Sequence, residues 1–586
     1  MSFRQELVRL SELELDIRKL VLDNAIKYNG VPSAKSVMSA LLGIRADLRS
    51  RAREVKEITD RMVAEVGGLS LDEQRAELAR IAPDLLGPAA ERKIEPKGLP
   101  DLPNVQAWPK VVMRLAPFPS GPLHVGNSRM VILNDYYVRR YAGELILVFD
   151  DTIGSEDKVL EPDAYDLIPQ GLDYLGVKCD RTIYKSDRLE LFYKYARDLI
   201  QKSLAYVCTC NAETWRKENK AKGIPCACRN TSPEENIRRW EKMLDGTYSA
   251  KAAAVRLKTG MDLPDPALRD HVILRVSETE HPRVGSRYRV WPLLEFSWGI
   301  DDHELGISHI IRGKDLVKEG KIEELVWNMY SWKHPELIYY GRLKFEDATL
   351  SKSKSRREVK IGTYSGWDDP RTWSMQSLAK RGIDPNALKK VMLDLGLSLA
   401  DISISMKAVY SENRKLKDTE APRLFFVEFP VWLNLTRVPA DVVKAEAPVH
   451  PDFPERGFRE IPLTRKARKL IVGIQGTDYE HIEEGGIFRM KDFANFTLQK
   501  TPTPGALFHS REVERIREAG APIIQWVPKE AAVPVEMTLV DGKKITGLAE
   551  PAISRIPVGT FVQFERVGFG RVFEADPSIR VAFAHK

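Results

Sequence analysis

The sequence predicts a multidomain protein in which an α/β core lies between a helical N-terminal region and a β-rich C-terminal region. Its 586 residues correspond to roughly four domains at about 150 residues per domain. Hydrophobic residues make up 43% and charged residues 30% of the chain, an ordinary globular balance that excludes a disordered or fibrous protein. The periodicity of the apolar residues changes twice along the chain, and these changes separate the three regions.

The first region, residues 4–82, is predicted to be helical. Its apolar residues recur at three- and four-residue spacing, as Ile17 and Val21 illustrate, which is the pattern of a helix with one buried face. Ser70 followed by Glu73 predicts a capping box that opens a third or fourth helix.

Six prolines between residues 83 and 109 separate this region from the next. Such a composition is also that of a long surface loop. Because the stretch lies between regions of different periodicity, we interpret it as a linker between domains.

The second region begins with a strand–helix–strand pattern. Residues 111–115 and 145–149 are short apolar runs with the composition of buried parallel strands. Residues 125–141 between them have helical periodicity. This order predicts a βαβ unit and a parallel sheet.

Helical periodicity returns in residues 373–396. Gly382 is predicted to end one helix, and Asp384-Pro385 is predicted to start the next one. Gly396 then stops the second helix.

The third region is rich in strand patterns. Residues 425–429 and 561–565 are aromatic and β-branched runs, and Asp541-Gly542 is a two-residue hairpin signal after residues 537–539. Several short strands with turn signals predict one β-barrel or two rather than a parallel sheet.

The overall charge and the cysteine content limit the class of protein. The chain has 90 Lys and Arg against 83 Asp and Glu, a formal net charge of +7, which permits a polyanionic partner without requiring one. No stretch approaches the roughly 18 consecutive apolar residues of a membrane helix, and no signal-peptide pattern is present. We therefore expect a cytoplasmic protein without membrane contact. Five cysteines exclude a disulfide-stapled secreted domain.

The segment from Arg114 to Asn127, RLAPFPSGPLHVGN, runs from the first predicted strand into the following helix. A helix N-terminus presents free N–H groups and a positive dipole end to an anion. Gly126 allows close approach of a nucleotide, and His124 can donate to a phosphate oxygen as charge develops there. On its own, the segment fits a structural histidine beside a turn glycine as well.

A second segment, TLSKSKSRR at residues 349–357, combines serines with basic residues. A mobile loop of this composition suits transient binding of a triphosphate, with Lys352 neutralising charge in the transition state. Taken alone, the stretch fits a solvated basic loop equally well.

Together the two segments have the order and separation of the HIGH and KMSKS signatures of class I aminoacyl-tRNA synthetases. Further segments resemble the glutamyl/glutaminyl subgroup, namely VWPLLEFSWGIDDHELGISHIIRGKD at residues 290–315 and the segments 365–371 and 484–489. The chain resembles an archaeal-type glutamyl-tRNA synthetase over nearly its whole length.

The resemblance implies a Rossmann-type α/β catalytic core that is split by an inserted subdomain, with a β-barrel anticodon-binding region at the C-terminal end. The expected domains are a helical N-terminal extension and linker (1–104), the first half of the catalytic domain (105–205), an acceptor-stem-binding insertion with the cysteines (206–290), the second half of the catalytic domain (291–360), a helical connector (361–420) and the anticodon-binding region (421–586).

The resemblance also implies roles for individual residues. His124 and Lys352 take the catalytic positions. Arg114 would bind the side-chain carboxylate of the amino acid, Arg312 would face the substrate as well, and Asp150 would hold the α-amino group. The positions that match substrate and ATP contacts are Arg114, Ala116, Pro117, Gly121, Gly126, Asn127, Asp150, Arg312, Ser351 and Ser353.

Two of these positions carry a physical argument of their own. A guanidinium pairs bidentately with a carboxylate and gains much less from a neutral amide, so Arg312 favours glutamate over glutamine. Asp150 and Asp151 end the second predicted strand at the sheet edge where doubly wound folds bind ligands. The alternative is that this pair caps the next turn.

Some positions depart from the family pattern. Asn127 replaces the last histidine of HIGH, and Thr349 and Leu350 replace the first two residues of KMSKS. Because His124 and Lys352 are present, we expect activity to be retained.

The expected amino-acid pocket also differs from that of bacterial relatives. Leu294 and Trp298 replace a tyrosine and an asparagine, Phe118 replaces a small residue, and Val148 replaces an arginine. We expect a pocket of different shape.

Four of the five cysteines form two pairs, CTC at residues 208–210 and CAC at residues 226–228. Two thiolate pairs about 15 residues apart fit a tetrahedral zinc site in a reducing compartment. The spacing within each pair is tighter than the usual Cys-x₂-Cys, and an emptied site or plain buried thiols are the alternative. Cys179 is interpreted as a packing residue. The candidate zinc ligands are Cys208, Cys210, Cys226 and Cys228.

The implied reaction activates glutamate with ATP and transfers it to the 3′ end of tRNA(Glu), with tRNA(Gln) an open second acceptor. Mg²⁺ is expected with ATP, and the family favours a monomer.

The basic run LTRKARK at residues 463–469 either contacts the tRNA backbone or forms a solvated face. The alternatives are a glutaminyl-tRNA synthetase, a catalytically silent tRNA-binding paralogue and a small-molecule nucleotidyltransferase.

Overall fold

The computed structural model describes residues 12–27, 30–45, 48, 51–82, 98–154, 159–466 and 469–586. The chain divides into two compact units, Met1–Pro100 and Asp101–Lys586. The division falls within the proline-rich stretch that is predicted to be a linker, of which residues 83–97 lie outside the described residues.

The first unit contains helices around one apolar core. They are α1 (Glu12–Lys27), α2 (Ala34–Ile44), α3 (Ala52–Gly67) and α4 (Leu71–Ile81). Buried aliphatic side chains at helical spacing, among them Val21, Val55 and Leu78, meet in this core. The predicted capping box is confirmed at the start of α4, because the Ser70 N–H donates to Glu73 Oε2 at 2.8 Å and the Glu73 N–H donates to Ser70 Oγ at 3.4 Å.

The second unit begins with the predicted parallel sheet. Its first elements are β1 (Val112–Leu115), α5 (Ser128–Arg140), β2 (Glu144–Phe149), α6 (Ala164–Tyr174), β3 (Arg181–Tyr184) and α7 (Leu189–Gln201). β2 pairs in parallel with β1 on one side and with β3 on the other. Nearly all of β2 is buried, which explains its continuous aliphatic sequence. The βαβ prediction is confirmed, and the carboxyl ends of the three strands meet at one edge of the sheet.

An antiparallel sheet follows in the chain, with the strand order β4-β5-β6-β7. Its elements are β4 (Ala205–Cys208), α8 (Ala212–Thr214), α9 (Pro233–Leu244), β5 (Ala254–Leu257), β6 (Val272–Val276) and β7 (Val290–Pro292). Trp240 of α9 and Val255 of β5 belong to a core that continues into α7 and α10. This core joins the antiparallel sheet to the helices α7 and α10.

The chain then returns to the parallel sheet through α10 (Leu294–Glu304), β8 (His309–Gly313), α11 (Val317–Tyr330) and β9 (Glu336–Tyr340). β8 and β9 pair in parallel. The Ser308 N–H donates to the Val112 carbonyl at 2.9 Å, which places β8 beside β1. The carboxyl end of β8, with Arg312, therefore lies beside the carboxyl end of β1, with Arg114.

The connector after the sheet contains β10 (Leu343–Phe345), α12 (Lys352–Lys360), α13 (Met375–Arg381), α14 (Pro385–Leu395), β11 (Ile402–Ile404) and α15 (Lys407–Lys417). Gly382 ends α13 with a φ of 79°, a conformation that favours glycine. Asp384 Oδ1 accepts from the Asn386 N–H at 2.9 Å at the start of α14. Both predicted helix boundaries are confirmed.

Within its described residues, the C-terminal part contains two seven-stranded sheets. Its elements are β12 (Arg423–Leu424), β13 (Phe426–Val427), β14 (Pro430–Thr436), β15 (Lys444–Pro448), β16 (Phe458–Pro462), β17 (Leu470–Gln475), α16 (Gly476–His481), β18 (Ile487–Met490), β19 (Ala494–Gln499), β20 (Gly505–Ser510), α17 (Glu514–Ala519), β21 (Ile523–Ile524), β22 (Trp526–Pro528), β23 (Val533–Thr538), β24 (Lys544–Ala549), β25 (Phe561–Phe564), β26 (Gly568–Glu574) and β27 (Ile579–His585). One sheet has the order β21-β18-β19-β20-β14-β17-β22, and the other has the order β12-β25-β26-β27-β23-β24-β13.

The predicted hairpin is confirmed by the antiparallel pair β23–β24, with Gly542 in its turn at a φ of 82°. The run 425–429 differs from a continuous strand. The Phe425 N–H donates to the buried Glu550 carboxylate at 2.9 Å, and Phe429 has a φ of 45°. These two interruptions leave only the two-residue strand β13 in this run.

Arg381 connects the connector to the last strand. Its side chain is fully buried, Nε donates to the Phe583 carbonyl at 3.0 Å and Nη2 donates to the Ala584 carbonyl at 2.6 Å. The end of α13 is therefore bonded to β27. Among the helices of the described residues, none has the length and apolar character needed to cross a membrane.

Candidate active site

His124 lies where the loop after β1 turns into α5. It caps a 3₁₀ turn, Val125–Asn127, and its Nδ1 accepts from the Gly126 N–H at 3.1 Å. Because Nδ1 is an acceptor, the neutral ring carries its proton on Nε2. Burial and the positive charge of Lys352 lower the pKa of His124 to about 3. His124 is thus a neutral N–H donor at physiological pH.

Lys352 is the first residue of α12, where Ser351 Oγ accepts from the Lys354 N–H at 3.3 Å and caps the helix. Burial lowers the pKa of Lys352 to about 8. Its ammonium is near enough to His124 to depress the pKa of the imidazole. The two catalytic candidates, 228 positions apart by number (352 − 124), lie in one site.

Two glycines allow this close approach. A Cβ on Gly126 would lie 2.8 Å from Leu350 Cδ1 and 3.0 Å from His124 Cε1. Gly121 has a φ of 138°, and a Cβ there would lie 3.0 Å from the indole of Trp367. The segments that resemble HIGH and KMSKS are therefore in direct contact.

The backbone of the His124 turn is also bonded to the start of α13. The Val125 N–H donates to the Trp373 carbonyl at 3.0 Å, and the Met375 N–H donates to the Leu123 carbonyl at 2.9 Å. His124 and Ser374 form an antiparallel bridge between these bonds. The connector thus holds the His124 turn in place.

The other predicted contact residues surround this turn. Asn127 Oδ1 accepts from the His124 N–H at 3.1 Å, so Asn127 stabilises the turn. The Pro117 carbonyl accepts from the Asp150 N–H at 3.1 Å. Ala116 is half-buried, and Ser353 is exposed on α12.

The residues predicted to bind the amino acid each have a partner of opposite charge within the chain. Arg114 makes a bidentate pair with Asp302, in which Nη2 donates to Oδ2 at 2.9 Å. Arg312 makes a bidentate pair with Glu323, with both distances 2.8 Å.

Asp150 has a partner as well, because Lys185 Nζ donates to its Oδ1 at 2.8 Å and to Ser297 Oγ at 2.8 Å. Asp151 has a different role, since it accepts from the Ser186 N–H at 2.9 Å and from the Ser186 hydroxyl at 2.7 Å. Of the two aspartates, Asp151 caps the turn after β3 and Asp150 faces the charged cluster.

Trp298 lies among these charges. Its ring centroid is 4.5 Å from the guanidinium carbon of Arg114, 5.1 Å from Lys185 Nζ and 5.4 Å from the guanidinium carbon of Arg312. We call the three ion pairs around this ring the charge-paired pocket. Its members are Arg114, Asp150, Lys185, Asp302, Arg312 and Glu323, with Trp298 in the middle.

Sequence reasoning did not identify Lys185, Asp302 or Glu323. Lys185 follows β3 directly, at the same sheet edge as Asp150. The prediction of a parallel sheet could therefore have indicated that Lys185 and Asp150 lie close together. Asp302 lies within the family-like run. Glu323 lies one helical turn after Gly320. A Cβ on Gly320 would be 2.8 Å from Arg312 Nη2, so the glycine lets Arg312 reach Glu323. Only the folded structure reveals the contact between Arg312 and Glu323.

The four clustered cysteines come together at the end of β4 and at a turn after it. Their sulfur atoms lie within 4.8 Å of one another, with 4.0 Å between those of Cys208 and Cys226 and 3.8 Å between those of Cys210 and Cys228. In tetrahedral zinc thiolate sites with a bond length of about 2.3 Å, neighbouring sulfurs are about 3.8 Å apart. The four thiols therefore fit a zinc ion.

The basic run 463–469 is partly engaged within the protein. Arg465 Nη2 donates to the Pro439 carbonyl at 2.8 Å and Nη1 donates to the Val442 carbonyl at 3.2 Å. Lys466 lies 3.5 Å from a carboxylate oxygen of Glu530, and residues 467 and 468 lie outside the described residues. Arg465 is thus hydrogen-bonded to the loop that contains Pro439 and Val442.

The model for the catalytic domain of class I tRNA synthetases (E and Q) matches residues 110–418. Two models for the anticodon-binding domain of the same enzymes match residues 421–506 and 523–573. A solved glutamate tRNA ligase from Elizabethkingia meningosepticum, in complex with its amino acid, is 18% identical, with a TM-score of 0.39 over 53% of this chain and 70% of that chain.

Similar proteins extend over the full length. A glutamate–tRNA ligase from Methanothermobacter thermautotrophicus is 40% identical over 572 residues, which are 97% of this chain and 99% of that protein. One from Pyrococcus abyssi is 41% identical over 581 residues, which are 98% of this chain and 100% of that protein. The family and the fold class expected from the sequence are confirmed. The chain belongs to the class I tRNA synthetases of the glutamyl and glutaminyl group.

Proposed function

We propose that the chain is a glutamate–tRNA ligase, which converts glutamate and ATP to glutamyl-adenylate and pyrophosphate and then transfers the glutamyl group to tRNA(Glu). The observation that carries this proposal is the likeness to glutamate–tRNA ligases over 97% of the chain, together with the contact between the His124 turn and the Lys352 loop.

In the first step, the α-carboxylate of glutamate attacks the α-phosphate of ATP in line, and pyrophosphate leaves. His124 donates its Nε2 proton in a hydrogen bond to a phosphate oxygen, and the Lys352 ammonium neutralises the charge that develops on the phosphates. Mg²⁺ would accompany the ATP phosphates. In the second step, the terminal ribose 2′-hydroxyl of tRNA attacks the carbonyl of the adenylate, and AMP leaves.

The remaining site residues position the substrates. Arg114, Arg312 and Asp150 surround the amino acid at the carboxyl ends of β1, β8 and β2. The segments that hold ATP contain Ala116, Pro117, Gly121, Gly126, Asn127, Ser351 and Ser353. The insertion of residues 206–290 holds the acceptor stem, and the β-rich region of residues 421–586 holds the anticodon. We propose a monomer that acts in the cytoplasm.

The decisive experiment is aminoacylation with labelled glutamate and glutamine on separate tRNA(Glu) and tRNA(Gln) transcripts. We expect charging of tRNA(Glu) with glutamate. No charging of either tRNA with either amino acid would favour a catalytically silent tRNA-binding protein. Charging with glutamine alone would make the chain a glutaminyl-tRNA synthetase and would overturn the proposal.

The cysteine cluster is proposed to hold a structural zinc ion in the insertion. Tyr206, Trp215 and Met261 form a small core with Cys208 and Cys226. Because this core is small, four bonds from the cysteines to a metal ion would add to the stability of this part of the insertion.

Protein purified without chelators is therefore expected to contain about one equivalent of zinc by elemental analysis, and chelation is expected to lower the Tm of the protein. Cys208→Ser should lose the metal, whereas Cys179→Ser, a change at the cysteine outside the cluster, should keep it. Wild-type protein with well under one equivalent would count against the site.

A pH dependence follows from Lys352. Its pKa of about 8 means that the free enzyme loses the ammonium charge as the pH rises through 8, so kcat/KM for ATP should fall by about tenfold per pH unit above that value. His124, with a pKa of about 3, stays neutral from pH 5 to 9. Lys352→Arg keeps its charge, and its profile should lack this decline. An identical decline in that variant would assign it to another group.

A further inference from the structure

The charge-paired pocket is electrically balanced before any substrate enters. Its three cations, Arg114, Lys185 and Arg312, face three carboxylates, Asp150, Asp302 and Glu323. None of the six residues is more than 7% exposed, so solvent screens these pairs weakly. Glutamate would bring one ammonium group and two carboxylates into this balanced site.

The end of the Arg312 guanidinium that carries Nη1 and Nη2 is already occupied. Nη1 and Nη2 both donate to Glu323, and Nε is buried without a hydrogen-bond partner among the described residues. Gly320 leaves room for this arrangement, because a Cβ there would lie 2.8 Å from Arg312 Nη2. A substrate carboxylate that binds both terminal nitrogens of Arg312, Nη1 and Nη2, therefore requires that Glu323 moves away.

The group that would bind the α-ammonium of the amino acid is also already paired within the chain. Asp150, which would hold the α-ammonium, already accepts from the Lys185 ammonium at 2.8 Å. The chain thus places an ammonium and a carboxylate of its own where the proposed substrate has an ammonium and a carboxylate. Trp298 contacts the cations at both ends.

Glu323 is the member of the pocket with a clear cost of ionisation. Its side chain is fully buried, and burial raises its pKa even though Arg312 pulls the pKa in the opposite direction. The charge of Glu323 therefore depends on its pair with Arg312.

We propose that Glu323 is a specificity-determining residue of the amino-acid site, an internal competitor that occupies Arg312 until the side-chain carboxylate of glutamate displaces it. The proposal rests on the function proposed above. A glutamine side chain gains less from a guanidinium and does not need to displace Glu323. Glu323 therefore weakens glutamate binding and narrows the preference for glutamate over glutamine.

The test compares Glu323→Gln with wild type in aminoacylation of tRNA(Glu). The amide keeps nearly the same shape and removes the competing charge, so KM for glutamate should fall about tenfold, the value of one charge-assisted bond. KM for glutamine should change less, and kcat should stay near the wild-type value. Added glutamate should also raise the Tm of the variant more than that of wild type, because the substrate then supplies the missing carboxylate.

Glu550→Gln is the matched control, since Glu550 is equally buried and pairs with Arg459 at 2.5 Å in the C-terminal region. It should leave KM for glutamate unchanged. If Glu323→Gln does not fold, the test uses Glu323→Asp. The shorter carboxylate releases Arg312 in part and should therefore also lower KM for glutamate.

An unchanged or raised KM for glutamate in a folded Glu323 variant would overturn the inference, since Glu323 would then only orient Arg312. That result leaves the proposed function intact, because wild type would still charge tRNA(Glu). If wild type charges no tRNA at all, the proposed function itself is wrong.

Discussion

Lys352→Ala is expected to lower kcat for glutamyl-adenylate formation by about 10²–10³-fold, the usual loss when one group that stabilises transition-state charge is removed. Lys352 is half-buried beside the His124 turn, and the charge of its ammonium is strong enough to contribute to the low pKa of His124. Such a site makes an electrostatic interaction with phosphates stronger than it would be in water. Affinity for tRNA should stay near the wild-type value, because one lysine contributes little to a large polyanion interface.

Single-turnover kinetics with tRNA present, together with a separate tRNA-binding titration, measure both quantities. Lys354→Ala is the matched control, since Lys354 lies on the same helix, its side chain is exposed and its backbone N–H bond to Ser351 survives the change. A variant of Lys352 that loses tRNA binding and keeps its turnover would mean that this loop binds tRNA instead of the triphosphate.

Gly126→Ala is expected to lower kcat by about 100-fold, because displacement of reacting groups by about 1 Å has this effect. The new Cβ would lie 2.8 Å from Leu350 Cδ1 and 3.0 to 3.1 Å from two atoms of the His124 ring. Leucine can rotate away, but the ring is held by its own bond to the Gly126 N–H. The His124 turn and the Lys352 loop would therefore move apart.

The Tm should change little, because the clash lies at the site and not in the core. Gly98→Ala is the control for the same chemical change, since a Cβ at Gly98 has no atom within 4 Å among the described residues. Combining Leu350→Ala with Gly126→Ala removes the nearest clash and should recover part of the lost turnover. No recovery in the double variant would mean that the clash with Leu350 does not cause the defect, which leaves the clash with the His124 ring or the contact of the nucleotide with the backbone.

Much of the fold was predictable because it depends on short-range rules. The capping box at Ser70, the helix boundary at Gly382 and the hairpin at Gly542 each follow from a few neighbouring residues. The break in the run 425–429 was not predictable in this way. It depends on Glu550, which is 125 positions away in sequence.

In the candidate site, too, features that follow from motifs or short spacing were predictable, and pairs between residues far apart in the sequence were not. Motif order placed His124 and Lys352 in one site, and ligand spacing grouped the four cysteines. The partners of Arg114 and Asp150 were missed, because these pairs join residues 188 and 35 positions apart. Family resemblance indicates where a substrate binds, but it does not reveal which charges of the chain itself already occupy that place.

The bonds from Arg381 to Phe583 and Ala584 have a consequence for protein engineering. α13 is bonded at its start to the His124 turn and at its end to β27, so one short helix links this turn to the last strand. The sheet that contains β27 is therefore bonded directly to the connector. A chimaera that grafts this sheet from a relative would retain the link only if residue 381 stays an arginine, because both acceptors are backbone carbonyls.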